Sequence, residues 1–338
     1  MSTRSLFIIW GLLLLSFILM PLFITSNRWI GFLEMTFFVA VMGQSWNILG
    51  GYGGQYSFGH ALFFGTAAYI QAIMQQKFGW SPWIAMWFAV AGTVLVASFV
   101  GYLSFRYGLK GSYFALITLA FAEAFHVLAR SLDSITEGGR GIQLLLNQDP
   151  DKAISAFQFN FAGPFLSSYG FYYTILIAMV LVFAVTWLVE HSRFGAQLVA
   201  VRENEEAAEA LGINTFRTKM GAILLSAAIT SFAGIYYVQK YLFVEPGIAY
   251  GLSKSVEALF APIIGGLGTV IGPLLGSFFI HGVGEITKDF IGHYVGDRPG
   301  VDLILFGVIL LLVLAHMPRG LAGLLSDVWK RVAGGRNA

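Results

Sequence analysis

Cysteine is missing from all 338 residues, which excludes disulfides and thiolate metal sites without fixing a compartment. Charge is scarce as well. Asp, Glu, Lys and Arg make up 11% of the chain, against about 25% in soluble domains. The 20 Lys and Arg barely outnumber the 18 acids and are scattered near the ends of apolar runs, so nucleic acid is not an expected partner. Six histidines are dispersed without ligand spacing, and His-Glu-x-x-His does not occur. A phosphate-binding Gly-x-x-x-x-Gly-Lys-[Ser/Thr] string is absent too; Gly251-Leu252-Ser253-Lys254-Ser255 lacks the glycine before lysine and the loop length. Gly266, Gly268 and Gly272 miss the Gly-x-Gly-x-x-Gly spacing and lie in an apolar run. The chain is therefore expected to be no enzyme, to hold no cofactor or metal, and to be unable to hydrolyse ATP by itself.

Hydrophobic residues supply 57% of the sequence, with 31 phenylalanines. Several runs of about 18 or more apolar residues predict a polytopic, all-α integral membrane protein. Barrel-type alternation is not visible, and a closed barrel is the other way to satisfy a backbone in lipid. Apolar spans fall at about 6–24, 30–50, 56–75, 83–104, 112–130, 170–190 and 220–243. A Gly-rich stretch at about 254–290 and a last span at about 301–316 follow. Arg4 precedes an apolar run to about Ile24 that is too long for a signal-peptide core and lacks a small-x-small cleavage site. It is read as a retained first span.

Orientation follows Lys and Arg near span ends. A cytoplasmic loop at about 191–219 places Arg4, Arg106, Lys110, Arg193, Arg202, Arg217, Lys219, Arg319, Lys330, Arg331 and Arg336 inside, a slim majority of the basic residues. Both termini inside demands an even number of crossings. The 254–290 stretch then crosses twice, as full spans or re-entrant half-helices, for a bundle of about ten spans. Residues 1–338 form one transmembrane domain with a cytoplasmic tail from about 317 to 338.

Two glycine clusters interrupt this pattern. Asn47-Ile48-Leu49-Gly50-Gly51-Tyr52-Gly53-Gly54 separates the second and third spans, and Pro262-Ile263-Ile264-Gly265-Gly266-Leu267-Gly268 breaks the eighth region. Interrupted segments recurring in two halves point to a transport route at a repeat interface. The plainer reading of the second is a packing ridge, Gly268-x-x-x-Gly272-x-x-x-Gly276. The first carries polar Gln55, Ser57 and His60, which packing does not need. In the fifth span Glu123 and His126 lie three apart on one face, continued by Arg130. They form either an internal polar row that locks the span or a patch on the route. Glu34 and Glu257, near span ends, are expected to face water or snorkel. Ser226, Thr230 and Gly234, with Ala227 and Ser231 beside them, make a close-packing seam to another span or a second subunit.

The one long polar island, Glu190–Lys219, contains a punctuated short helix. Asn204 is a good N-cap, Glu205 and Glu206 place negative charge in the first turn, and Gly212 supplies the stop. About seven residues are too few for a stable isolated helix, so it needs a surface to dock on. Ala207, Ala208 and Leu211 are expected to form its apolar face, with Glu205 and Glu209 on the polar side. A solvated loop helix is the plain alternative.

Glu206-Ala207-Ala208-x-x-x-Gly212 resembles the coupling-helix motif of ABC importer permeases, and the string from Arg193 through Ile213 resembles the branched-chain amino-acid (LivM-type) permeases. Gly51-Tyr52-Gly53-Gly54-Gln55-Tyr56-Ser57-Phe58-Gly59-His60-Ala61 and Ile264-Gly265-Gly266-Leu267-Gly268-Thr269-x-x-Gly272-Pro273 are similar to two further strings of that family. Gly111–Phe121, which includes Thr118, and Pro318-Arg319-Gly320-Leu321 are close to others. An Ile-x-Leu-Pro after Gly212 is absent, which argues against a maltose-type architecture. Thr136-Glu137-Gly138-Gly139-Arg140-Gly141-Ile142 departs from the family's outer loop by a shifted glycine pair and two added charges. A different substrate would follow if that loop gates substrate access.

The resemblance implies an ABC importer permease-like bundle in a bacterial inner membrane, working by alternating access. Implied partners are a homologous second permease, two ATPase subunits that hold ATP and Mg, an extracytoplasmic binding protein, a small-molecule substrate and membrane lipid. Coupling would fall to Arg202, Glu203, Asn204, Glu205, Glu206, Ala207, Ala208, Leu211, Gly212 and Ile213. The route would include Gly51, Gly53, Gly54, Gln55, Ser57, Gly59, His60, Thr118, Glu123, His126, Gly265, Gly266 and Gly268. Branched-chain or hydrophobic amino acids are the leading cargo, and urea or short-chain amides the alternative. A stand-alone secondary transporter or channel, with Glu123 and His126 as a proton relay, is the reading from another class. If Glu123 serves the route, Glu123→Gln should depress uptake in vesicles without altering assembly; unchanged uptake removes Glu123 from the route.

Overall fold

The computed structural model describes residues 3–23, 26–159, 164–294, 301–316 and 320–324. Helices dominate: α1 (Thr3–Phe23), α2 (Asn27–Trp46), α3 (His60–Phe78), α4 (Pro82–Arg106), α5 (Ser112–Ser131) and the short α6 (Asp133–Thr136). Then follow α7 (Pro164–Glu190), α8 (Arg193–Glu203), α9 (Glu205–Ala210), α10 (Thr215–Tyr241) and α11 (Pro246–Ala249). The chain continues through α12 (Leu252–Gly265), α13 (Gly272–Tyr294) and α14 (Val301–His316). Two short strands, β1 (Ile142–Gln143) and β2 (Phe243–Val244), pair antiparallel. The expected all-α class holds. Among the described residues, four helical stretches are long and apolar enough to cross a membrane: Pro82–Arg106, Gly111–Ser131, Ser167–Glu190 and Thr215–Tyr241.

Two helices organise the packing. α10 lies against α2, α3 and α4, while α2 also packs on α7, α12 and α13. The small-residue seam predicted on α10 is the reason neighbours come so close. Ser226 Oγ meets His60 Nε2 at 2.9 Å, and Thr230 Oγ1 meets Ser45 Oγ at 2.8 Å. A Cβ placed on Gly234 would sit 2.3 Å from the Phe64 carbonyl oxygen. The seam therefore joins α10 to α2 and α3 within the chain.

Two expectations are corrected here. Gly268 is not on a helical ridge with Gly272 and Gly276; it lies in the turn before α13 with φ +67°, a left-handed conformation that glycine adopts without strain. Glu34 and Glu257 do not simply face water. Glu34 is buried and accepts from Lys240, and Glu257 is paired with Lys254 Nζ at 3.0 Å. Their partners come from α10 and from one turn earlier on α12, and neither pairing is visible from distance to a span end.

The α12–α13 hairpin is closed by direct backbone approach. A Cβ on Gly265 would fall 1.7 Å from the Gly272 carbonyl oxygen, and one on Gly276 would fall 1.8 Å from that of Ala261. Both obstacles are backbone, so neither can swing aside. Overpacking of this kind costs about 1–3 kcal/mol and at times more. Gly276→Ala should lower the yield and melting temperature of detergent-solubilised protein, whereas Gly282→Ala, whose Cβ meets nothing within 4 Å, should leave both unchanged. Equal melting of the two variants contradicts this packing.

Candidate functional site

The site begins with one amide. After Trp46 the chain widens into a π-type turn, Asn47–Tyr52. Gly50 leaves room for the Trp46 indole, whose Nε1 donates to the Ser57 carbonyl at 2.7 Å. This turn places the Asn47 side chain against the α12–α13 turn. Asn47 Nδ2 donates to the Thr269 carbonyl at 2.9 Å, and the Gly268 amide donates to Asn47 Oδ1 at 2.8 Å. One buried amide thus satisfies a donor and an acceptor of the second glycine turn, as a side chain with both functions can. A Cβ on Gly51 would collide with Asn47 Oδ1 and with the Gly268 amide nitrogen.

Arg202, at the end of α8, closes the same junction from outside. Its Nη1 donates to the Gly51 carbonyl at 2.8 Å, and its Nη2 is held by Glu203 Oε1 at 2.7 Å. The guanidinium also lies beside Gly268, where a Cβ would stand 3.0 Å from Nη1, and its stem lies over Gly54. Gly51, Gly54, Gly268 and Arg202, picked from separate parts of the sequence, therefore meet at one end of the bundle. Gly53 and Gln55 continue this turn, Gln55 Nε2 donating to the Gly53 carbonyl at 3.3 Å. Gly265 and Gly266 end α12 beside it.

Local sequence builds α9 as expected. Asn204 Oδ1 accepts from the Ala207 amide at 3.0 Å, and Gly212 follows the helix with φ +83°. The expected faces are corrected. Ala208 is buried, but Ala207 and Leu211 are exposed, Leu211 by 82%. Glu205, placed on the polar side, turns inward. It accepts from Lys219 on α10 and pairs with Lys110 Nζ of the α4–α5 loop at 3.1 Å. Lys219 in turn lies over the Phe105 ring at 5.3 Å. Glu209 is exposed, as expected of the polar side, and accepts from Thr215 Oγ1. Burial alone would push the Glu205 carboxyl up, but the hydrogen bonds and charges of Lys219 and Lys110 outweigh it and hold the group below the ordinary range. Between this loop and Gly54, Gln55, Lys110 and Gly111 lies a polar cleft of about 430 Å³.

The remaining candidates lie elsewhere. Ser57 is buried, its Oγ accepting from the Gly59 amide at 3.1 Å. Gly59 packs on the Thr118 carbonyl, and Thr118 Oγ1 accepts from the Phe58 amide. His60 is wholly buried against Ser226. Glu123 and His126 pair with each other at 3.3 Å along α5, with the Glu123 side chain 66% exposed. Ile213 is half-buried after α9, while Glu203 and Glu206 are exposed. Sequence reasoning gave no role to Asn47, Lys110 or Lys219 as tethers. The available signal was that Asn47, with Gln44 three residues before it, places an amide inside an otherwise apolar run.

A family profile described as branched-chain amino acid transport system / permease component matches residues 29–314. The LivM permease protein of the Salmonella typhimurium high-affinity branched-chain amino acid transport system is 25% identical over 318 residues, covering 88% of this chain and 71% of that protein. The LivH permease protein of the same organism is 24% identical over 312 residues, covering 88% and 97%. The autoinducer 2 import system permease protein LsrC of Klebsiella pneumoniae is 30% identical over 139 residues, 40% of each chain. No solved structure matches. By the extent of the profile match and the character of these relatives, the chain belongs to the permease-component family of branched-chain amino acid transport systems.

Proposed function

We propose that the chain works as a permease subunit driven by a separate ATPase through α9, and that Arg202 carries the drive into the membrane. The observation behind this is the hydrogen bond from Arg202 to Gly51, which continues through Asn47 to the α12–α13 turn. A push on α9 then reaches α10 through Glu205–Lys219, and α2, α3, α12 and α13 through Arg202 and Asn47. Ala207 and Leu211, with Glu206, face outward to meet the ATPase, and the neighbouring cleft offers room for its side chains. Residues 204–213 form the coupling element in this reading, and ATP with Mg is bound by the partner chain.

We place the chain in a bacterial inner membrane with about ten spans and both termini cytoplasmic. Helices over each expected apolar run support the number of crossings. The gathering of Lys110, Arg202, Arg217 and Lys219 near one end supports the orientation. The tail positions Arg319, Lys330, Arg331 and Arg336 lie outside the described residues. A second permease subunit covers the outer face of α5, because a carboxylate as exposed as Glu123 facing lipid would cost about 2.5–3.5 kcal/mol. The route follows that interface, with Glu123 and His126 along it and the glycine turns at its cytoplasmic mouth. The relatives are named for high-affinity branched-chain amino acid transport, so a branched-chain or other hydrophobic amino acid is the cargo, delivered by an extracytoplasmic binding protein. Nucleotide shifts the access equilibrium only as far as the loaded ATPase contacts one state better than the other.

In reconstituted importer, Arg202→Glu and Arg202→Ala should retain ATP hydrolysis while lowering substrate moved per ATP by about ten-fold, the coupling worth of some 1.4 kcal/mol. Glu206→Lys and Gly212→Trp should act in the same direction. Tight coupling in all four variants contradicts the proposal.

The depressed Glu205 carboxyl gives a pH signature. Its contribution is complete above the unfolded value of about 4.3 and is lost as pH falls through the lower folded value. A fluorophore on Leu211→Cys should report loosening of the loop below about pH 4.3. With Glu205→Gln added, the loop should be loose at every pH, because the buried Lys219 loses its partner. Matching titrations in both proteins contradict this role for Glu205.

A further inference from the structure

Four ionisable side chains stand at the opposite end of the bundle from Arg202, where α2 and α12 begin and α10 ends. They form two pairs of different character. Glu34 and Lys240 join α2 to α10 and are closed, their side chains 9% and 18% exposed. Lys254 and Glu257 lie three apart on α12 and join nothing but that helix. Lys254 is 11% exposed, while Glu257 is open at 34%.

A same-helix pair contributes little as a tie between helices, yet the fold goes to some length to hold Lys254 in place. Its ammonium lies 5.6 Å from the Phe38 ring centroid on α2 and 5.8 Å from that of Tyr237 on α10. Ring faces hold a cation without neutralising it. Among the described residues, Glu257 Oε2 is the hydrogen-bond acceptor for this ammonium, which has three donors. The junction of three helices therefore presents a positioned cation with donors to spare, beside an open carboxylate. Phe260, half-buried, follows Glu257 by three residues and extends that face with an apolar ring.

We infer that Lys254 and Glu257 are a recognition site for a zwitterion: the Lys254 ammonium receives the ligand carboxylate, and Glu257 receives the ligand ammonium. This rests on the permease reading and narrows its cargo. The two protein charges cancel, so a net cation or anion would bring an uncompensated charge into the site, while a dipolar ligand completes a neutral ring of four. Such a site rejects a ligand that lacks either charge, because a protein group is then stripped of water without compensation. Urea and simple amides carry neither charge. Tyr237 and Phe260, both half-buried, offer the ligand an apolar, aromatic surround, and the buried Phe38 backs the ammonium. Glu34 and Lys240, closed on each other, hold α2 and α10 at the spacing that brings Phe38 and Tyr237 to Lys254.

The test uses the whole importer in lipid nanodiscs, without the binding protein, so that its selectivity does not enter. Labelled leucine is bound and displaced by leucine, leucinamide, which lacks the carboxylate, N-acetyl-leucine, which lacks the ammonium, and urea. Wild-type complex should prefer leucine to both analogues by about ten-fold or more and ignore urea. Lys254→Met should abolish the preference over leucinamide and keep that over N-acetyl-leucine, and Glu257→Gln should do the reverse. A structural role would weaken all ligands alike. Equal loss for every ligand, unchanged profiles, or a wild type that does not discriminate overturns the inference; the wild-type profile decides even if a variant fails to assemble. ATP-driven leucine uptake is followed in parallel with the same wild-type complex in sealed proteoliposomes, with its binding protein supplied. Its absence refutes the permease reading, whereas ATP-driven leucine uptake with an unselective Lys254–Glu257 pair refutes the zwitterion site alone.

Discussion

Everything at the Arg202 end of the bundle depends on the Asn47 amide, which is buried and hydrogen-bonded on both sides to a turn more than two hundred residues away. An unpaired amide in an apolar interior costs on the order of 1–3 kcal/mol. The two glycine turns are therefore bound to each other by more than van der Waals contact. Gly51 makes this possible because any side chain there would occupy the space of the amide oxygen. Arg202 adds the third party. Its hydrogen bond to Gly51 makes the buried glycine junction continuous with the exposed loop of α9, so a force on one is felt by the other.

Charge is used in two ways in this chain, and the surroundings decide which. Glu205 with Lys219, and Glu34 with Lys240, connect separate helices and are largely closed to solvent, while the exposed Lys110 of the α4–α5 loop adds a second partner to Glu205. Breaking such a pair strands a charge, at about 3–5 kcal/mol, which makes them rigid fasteners. Lys254–Glu257 and Glu123–His126 are each internal to one helix and leave the acid open. Neither ion pair bridges two helices, although Lys254 is also held between the Phe38 ring of α2 and the Tyr237 ring of α10; the open acids are where the proposed ligand and the proposed second subunit would meet the chain. The permease family to which the chain belongs supplies a setting for both.

Local chemistry was legible in the sequence; direction and pairing were not. The cap at Asn204 and the stop at Gly212 depend on residues within three positions and were read correctly. The face of α9 depends on what lies beneath it, so Ala208 and Leu211, three apart, could not be told inward from outward. Gly268 at four-residue spacing from Gly272 looks the same in a ridge and in a turn; only the left-handed φ separates them. The expectation that Glu34 faces water or snorkels misses Lys240, which is 206 residues distant and adjacent only once α2 crosses α10. The all-α class and the position of α9 follow from composition and polarity, which need no partner to be seen.

The central claim is that α9 takes its motion from a nucleotide-hydrolysing chain. Because the sequence has no cysteine, a single one at Leu211, exposed by 82%, is an unambiguous probe. A short bifunctional cross-linker from that position, applied to inner membranes and read by mass spectrometry, should yield an adduct with an ATPase subunit, and its yield should change when ATP is bound. Labelling of the cysteine by a water-soluble maleimide, with no ATPase adduct in either nucleotide state, would contradict the account.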